Sequence, residues 1–317
     1  MSINVGLIGC GGIAKAHAEA YRAAGASIVA VTDIEPKAAK AFAKEYGAAV
    51  FADDRALLES GAAQAVSICT PPVAHADAAV RALQAGVHVL CEKPMAFDVA
   101  GAYWMRYAAA RSKALLMPAF RHRFLPAIIA FRELMTSGRI GDPVLFNNVF
   151  CGPAFKMEST WFTKKAIAGG GSVMDTSSHS VDLFRFLVGE IVDQHLVMHR
   201  HFQTTDVEDA GILSVKASNG AIGAMHSAFV AGSGAAFIDI IGTKGRVLYD
   251  YLEPTVLRWR LTKHDDWRTE AVAESWGFEE EVRHFLGAVA GEHPLAVTPD
   301  DGVRAMEVIC TAYTERP

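Results

Sequence analysis

Several things are missing from this 317-residue sequence, and each absence removes a class of function. No apolar run approaches the ~20 residues needed to cross a bilayer. The opening MSINVGLIGCGG carries neither a basic stretch nor a long apolar one, so no secretory leader is expected and a cytoplasmic location is. Its five cysteines, Cys10, Cys69, Cys91, Cys151 and Cys310, form no CxxC pair. An odd, scattered set gives no disulfide framework, and reduced, mostly buried thiols are expected. An excess of positive charge is also lacking: 30 Lys and Arg stand against 35 Asp and Glu, for a formal net charge of -5. The basic residues are scattered, which argues against a nucleic-acid partner. No internal repeat or low-complexity tract is present.

What is present is a globular composition, 51% hydrophobic and 21% charged, on a chain long enough for two domains with a cleft between them. Up to residue 120, short apolar runs alternate with alanine-rich amphipathic stretches: VGLIG, SIVAVTD, AQAVSICTPP and GVHVLCEKP are each followed by a helical pattern, and ALLMPA closes the series. This rhythm predicts an α/β domain with a doubly wound parallel sheet over 1–120. Strands such as 65–69 are apolar throughout, as expected where helices cover both faces. Over 121–317 the pattern changes. Helices are expected at 126–137, after the glycine triplet 169–171, at 278–289 and at 299–313. AGILSVKA, AIGAMHSAFV, AFIDIIG and GRVLYDY read as strands separated by SNG and GTKG turns. The second domain is therefore α+β with an open, mainly antiparallel sheet.

The chemistry concentrates at strand ends. Gly9-Cys10-Gly11-Gly12-Ile13-Ala14 is a G-x-G-x-x-A turn between a strand and a helix. Gly9 permits the turn, Gly11 lets a pyrophosphate approach the backbone, and Ala14 allows close packing of helix on strand. Asp33, nineteen positions past Ala14, ends the second strand, where a carboxylate can accept both ribose hydroxyls; its other reading is a helix N-cap. A carboxylate there repels a 2'-phosphate, which favours NAD and leaves NADP possible through the nearby Lys37. CTPPVAH presents Thr70, Pro71, Pro72 and His75, and CEKP presents Glu92, Lys93 and Pro94, at the ends of later strands, where ligands of open α/β sheets bind. Lys93 there can serve as acid or base. Asp175, His179 and Asp182 are spaced i, i+4, i+7 and predict one polar helix face, with Met174, Val181, Phe184 and Val188 opposite. His199 and His201 alternate along a strand with no third ligand, so a solvated sheet face is expected and no metal site.

Together, GLIGCGGIA, TPPVAH, CEKP, FRHRFLPAIIAFRELMTSGRIGDP and GGGSVMDTSSHSVDL, with VEDAGILSVKASNGAIG and IDIIGTKGRVLYDY further on, resemble the glucose-fructose oxidoreductase and inositol dehydrogenase family over almost the whole chain. The resemblance implies an N-terminal Rossmann domain and an NAD(P)-dependent hydride transfer at a hydroxyl or carbonyl carbon of a sugar, polyol or inositol. It also implies a second domain used for substrate binding and for dimer or tetramer contacts through its sheet. The lysine of the family's E-K-P motif and the aspartate and histidine of its D-x-G-x-H motif match Lys93, Asp175 and His179. Ser177 stands where the family has glycine, which crowds the helix start or offers a hydroxyl to substrate. Arg121, His122, Arg123, Trp161 and Lys164 are candidate substrate contacts, and a cis peptide before Pro94 is expected from the resemblance. An NAD-using glycosidase of the same fold, or a regulator that kept the fold and lost catalysis, are the rival expectations.

Overall fold

Apolar runs without alternation need cover on both sides, and in the computed structural model, which describes residues 3–153, 160–200 and 205–314, they find it in one parallel sheet. Strands β1 (Asn4–Ile8), β2 (Ser27–Thr32), β3 (Ala49–Val50), β4 (Ala65–Ile68), β5 (His88–Cys91) and β6 (Leu116–Pro118) lie in the order β3-β2-β1-β4-β5-β6, every pair parallel. Helices α1 (Gly12–Ala23), α2 (Pro36–Tyr46), α3 (Asp54–Glu59), α4 (His75–Gln84) and α5 (Val99–Arg111) fill the crossovers. β4 is buried at every position. The order reverses at β1, with β2 on one side and β4 on the other, so the loops leaving β1 and β4 form a switch point at the carboxyl edge. On α1, Ala14, His17, Ala18 and Tyr21 recur at helical spacing and are buried.

Contacts divide the chain into two compact units, Met1–Arg121 with Phe278–Met306, and His122–Gly277 with Glu307–Pro317. Helix α9 (Phe278–Val289) buries Val282, Phe285 and Ala288 in the first unit, and its Arg283 donates to the Ala23 carbonyl at 2.8 Å. The start of α10 (Pro299–Thr314) sits so close to Met95 that a Cβ at Gly302 would lie 2.2 Å from its sulfur. Residues 278–306, which sequence order assigns to the second domain, thus pack with the first. Their apolar stripe matches α1's neighbourhood, and chain position does not decide packing.

The second unit holds α6 (Pro126–Thr136), β7 (Pro143–Pro153), α7 (Lys165–Ala168), α8 (Ser172–Leu187), β8 (Ile191–His199), β9 (Ala210–Ala217), β10 (Ile222–Ala228), β11 (Val230–Gly242), β12 (Arg246–Asp250), β13 (Val256–Arg260), β14 (Arg268–Ala271) and the end of α10. Its sheet runs β14-β13-β12-β11-β7-β10-β9-β8, antiparallel except for the β7–β10 pair. β7 is central, yet its Asn147-Asn148 pair interrupts the apolar pattern. Asn148 is fully buried and donates to the Phe237 carbonyl at 2.9 Å. β9 alternates strictly, with Leu213, Val215 and Ala217 buried and Ile212, Ser214 and Lys216 exposed. α8 is buried almost all round, from Ser172 to Met174 and from Ser177 to Phe184, and Phe184 meets Phe146 edge to face at 5.2 Å. Among the described residues no helix is long and apolar enough to cross a membrane.

Candidate active site

The glycine turn after β1 is specified by two different demands. Gly9 has φ +95°, and a Cβ there would stand 2.8 Å from the Cys69 backbone carbonyl, so only glycine fits. At Gly11 and Gly12 nothing lies within 4 Å of where a Cβ would be. Gly11 is the N-cap of α1, no side chain caps it, and no acidic residue stands in the first turn. The positive end of the helix dipole therefore faces open space, a cradle a pyrophosphate fits. Ile13 is partly exposed beside it, and Ala14 is fully buried, which lets α1 lie close on the sheet.

Asp33 closes this loop. One carboxylate oxygen accepts from the Cys10 N–H at 2.7 Å and the other from the Glu35 N–H at 2.8 Å. The N-cap of α2 is Glu35, so Asp33 forms a turn ahead of the helix instead of capping it. A carboxylate has about four lone-pair sites, leaving acceptors for a ribose diol. Burial and the Asp33 charge push the Cys10 thiol up to about 12, which keeps it neutral. Lys37 lies exposed on α2. These residues fit NAD.

The ends of β4 and β5 are tied together by His75, which is fully buried, its Nε2 2.7 Å from the Thr70 carbonyl and its Nδ1 3.0 Å from that of Pro94. Burial lowers its pKa against the pull of those carbonyls. His75 thus braces the loops that carry Thr70, Pro71 and Lys93 from behind. Pro72 is buried at the start of a short turn, Pro72–Ala74, and the Thr70 hydroxyl is buried without a hydrogen-bond partner. The Lys93–Pro94 peptide is cis. Glu92 is buried; one oxygen faces His17 Nε2 at 2.9 Å and the other accepts the Lys93 N–H at 3.0 Å. Burial acts to raise the Glu92 carboxyl, but the hydrogen bond and charge of His17, with Lys93's charge, outweigh it and hold Glu92 below its usual range. Behind them, His17 Nδ1 meets Ser67 Oγ at 3.1 Å, and Ser67 meets the Tyr21 hydroxyl at 2.8 Å.

In the second unit, Asp175, His179 and Asp182 share one side of α8 but meet different surroundings. Asp175 is partly exposed in the first turn and His179 is buried one turn on. Asp182 is wholly buried and takes the Arg123 guanidinium in a two-pronged pair, Nε to Oδ2 at 2.8 Å. Asp182 belongs to a clasp between α8 and the turn Arg121–Phe124, so that end of the polar face is buried against protein. The same fact corrects Arg123, whose fork is engaged and buried and so is not offered to a substrate. His122 packs its ring on that of His179 at 4.2 Å and is anchored by the Tyr251 hydroxyl, 2.7 Å from Nδ1. Ser177 is fully buried with no partner for its hydroxyl. Arg121, in the first unit, stacks over Phe278 at 4.8 Å, Trp161 stacks on Phe162 at 3.7 Å, and Lys164 is exposed. His199 is exposed on β8, and His201 lies outside the described residues.

Sequence reasoning missed His17, which faces Glu92; Tyr251, which anchors His122; and Glu208 and Tyr313, which accept from the first N–H groups of α8. His17 is a polar residue on an otherwise apolar helix face, a signal that could have found it; the others have no local signature.

Two family models match the chain: the oxidoreductase family with NAD-binding Rossmann fold over residues 3–120, and the GFO/IDH/MocA C-terminal domain over 128–248. The chain belongs to the Gfo/Idh/MocA oxidoreductase family. Relatives of this Gfo/Idh/MocA protein include an inositol 2-dehydrogenase of Rhizobium meliloti, 29% identical and covering 96% of this chain and 94% of its own. A levoglucosan dehydrogenase of Pseudarthrobacter phenanthrenivorans is also 29% identical, over 79% of this chain and 74% of its own. Among solved structures, an oxidoreductase domain protein from Kribbella flavida is similar with a TM-score of 0.92 at 27% identity, covering 99% of this chain and 96% of its own. As a Gfo/Idh/MocA member the chain is an NAD-dependent oxidoreductase.

Proposed function

We propose that this NAD-dependent oxidoreductase acts as a dehydrogenase on a sugar, polyol or inositol-like substrate, interconverting a secondary alcohol or hemiacetal with the ketone or lactone. The observation that carries the reading is the cradle: Gly9 locked against Cys69, open space over Gly11 and Gly12, and Asp33 bonded to the Cys10 N–H. That inositol and levoglucosan dehydrogenases are its relatives supports a polyhydroxylated substrate.

Bound NAD supplies the hydride acceptor in oxidation and, once reduced, the donor in the reverse direction. Gly9, Gly11, Gly12, Ile13 and Ala14 hold its pyrophosphate, Asp33 its ribose hydroxyls, and Thr70, Pro71, Pro72, Glu92 and Lys93, braced by His75, the nicotinamide end. When the carbinol carbon is oxidised to a carbonyl, Lys93 and His179 would take up the hydroxyl proton. Asp175, one turn before His179, orients the imidazole. Arg121, Trp161 and Lys164 contact substrate. The acid at the end of β2 favours NAD over NADP. We further propose a cytoplasmic homodimer or homotetramer joined through the second unit's sheet, whose outer face exposes Val192, Val197, Ile212 and Ile222.

The test is a screen of myo-inositol, levoglucosan, aldoses and keto-sugars with NAD, NADP and their reduced forms, followed by single-turnover hydride transfer at saturating cofactor. Lys93→Ala and His179→Ala should each slow transfer by roughly 100-fold or more, the usual effect of losing a general acid or base, with NADH affinity little changed. Near wild-type rates for both would overturn the assignment.

A further inference from the structure

A helix leaves its first four N–H groups without partners inside the helix. At the start of α8, the N–H groups from Gly171 to Met174 are all taken by two residues far away in sequence. Gly171 N–H donates to both Glu208 carboxylate oxygens at 3.0 and 3.1 Å, Ser172 N–H to the Glu208 backbone carbonyl at 3.1 Å, and Val173 N–H to Glu208 Oε1 at 2.9 Å. Met174 N–H donates to the Tyr313 hydroxyl at 3.1 Å, and that hydroxyl donates to Glu208 Oε1 at 2.6 Å. Burial and the Glu208 charge hold the Tyr313 phenol well above its ordinary value, so it remains a donor. The Asp175 N–H turns back to the Gly171 carbonyl at 3.0 Å.

We infer that Glu208 and Tyr313 are a positioning pair that fixes the first residue of α8 and, through it, the placement of Asp175 and His179. The inference rests on the functional reading given above. Two glycines of the triplet ahead of α8 have their explanation here. A Cβ at Gly171 would stand 1.8 Å from the Glu208 carbonyl oxygen, and one at Gly170 would stand 2.5 Å from the Tyr313 hydroxyl. The clasp lies as near as bare backbone allows, so α8 has one starting point. Phase follows from that: a slip of one residue would turn every side chain of the helix by about 100° and carry His179 off its His122 contact. Glu208 is buried and spends its oxygens on the helix, so it acts through α8 rather than on substrate.

The experiment compares wild type, Tyr313→Phe, Glu208→Gln, His179→Ala and the Tyr313→Phe/His179→Ala double variant, using myo-inositol or whichever compound in the screen turns over. Tyr313→Phe keeps the ring and removes only the hydroxyl. It should lower kcat about tenfold or more, the scale of a misplaced reacting group, with NADH affinity and KM for NAD unchanged. In the His179→Ala background the same change should cost less than about twofold, because the two losses share one cause. Glu208→Gln should act in the same direction as Tyr313→Phe but less strongly, since its amide oxygen can take the place of Oε1 while the charge at the helix start and the Oε2 acceptor are lost. Amide hydrogen exchange over 171–179 should accelerate in both. A kcat unchanged in Tyr313→Phe, an equal loss in both backgrounds, or unaltered exchange would overturn the positioning pair. Full activity of His179→Ala would instead sink the functional reading, and amide exchange would still decide the pair.

Discussion

The first turn of α1 and the first turn of α8 begin from the same device, small residues ahead of a helix, and differ in what meets their N–H groups. At α1 the N-cap is Gly11, no side chain caps it, and the space over Gly11 and Gly12 is open. At α8 a buried carboxylate and a phenol from the chain itself occupy the equivalent groups, and the glycines are there because those groups press against the backbone. Both arrangements answer the same electrostatic demand, negative charge at the positive end of a helix. One reserves it for a ligand's phosphates and the other satisfies it permanently. Glycine ahead of a helix therefore does not by itself signal an anion site; what would stand in place of its hydrogen does.

The contrast is broken most directly by alanine at each start. Gly171→Ala places a methyl on the Glu208 carbonyl and should cost at least about 1–3 kcal/mol, the range for overpacking, seen as a lower Tm and a poorer soluble yield. An unchanged Tm would mean that the clasp yields freely. Gly11→Ala, in extended backbone at φ -79° with room around it, should leave stability within about 0.5 kcal/mol. Its effect should fall on NADH, whose affinity drops roughly tenfold or more if charged hydrogen bonds worth about 1.5–3 kcal/mol are weakened. Unaltered binding would mean that phosphates do not use this turn.

Asp33→Ala sharpens the comparison within the open site. NADH titration by nicotinamide fluorescence should show a loss of roughly tenfold, with NADPH affected less, whereas wild type prefers NADH. Equal affinities in wild type would hand control to Lys37. The smallest effect is on pH. Because burial lowers the folded-state pKa of His75, the stability it contributes is complete above the ordinary histidine value near 6.5 and declines as pH falls toward the lowered value. Glu92, also lowered, follows the same sign below the ordinary carboxylate value near 4.3. A melting series should therefore show Tm falling between pH 7 and 5, less so in His75→Gln; a flat series would show that the His75 brace carries no linkage.

The glycine turn after β1 was legible because its determinants are local. The spacing of Gly9, Gly11 and Ala14 encodes a turn and a packing contact within one short segment, and Asp33 follows one crossover later. Helix α8 was legible as a helix, but what its side chains meet was not. Asp175, Asp182 and His179 share a helical stripe, yet Asp182 is claimed by Arg123, 59 positions away, a partner that no spacing along α8 records. β7 escaped notice because its two asparagines, one of them buried on a backbone carbonyl, do not look like the centre of a sheet.

What the sequence by itself determined is the alternation of strands and helices, the parallel sheet and the glycine turn. Each of these depends on neighbours a few positions apart or on periodicity along one element. The tertiary structure alone decided that α9 joins the first unit, that His75 and Glu92 brace their loops from behind, and that Glu208 and Tyr313, 105 positions apart, meet at the start of α8. Buried polar groups must find partners wherever packing brings them, and packing is set by surfaces from the whole chain, which no local pattern records.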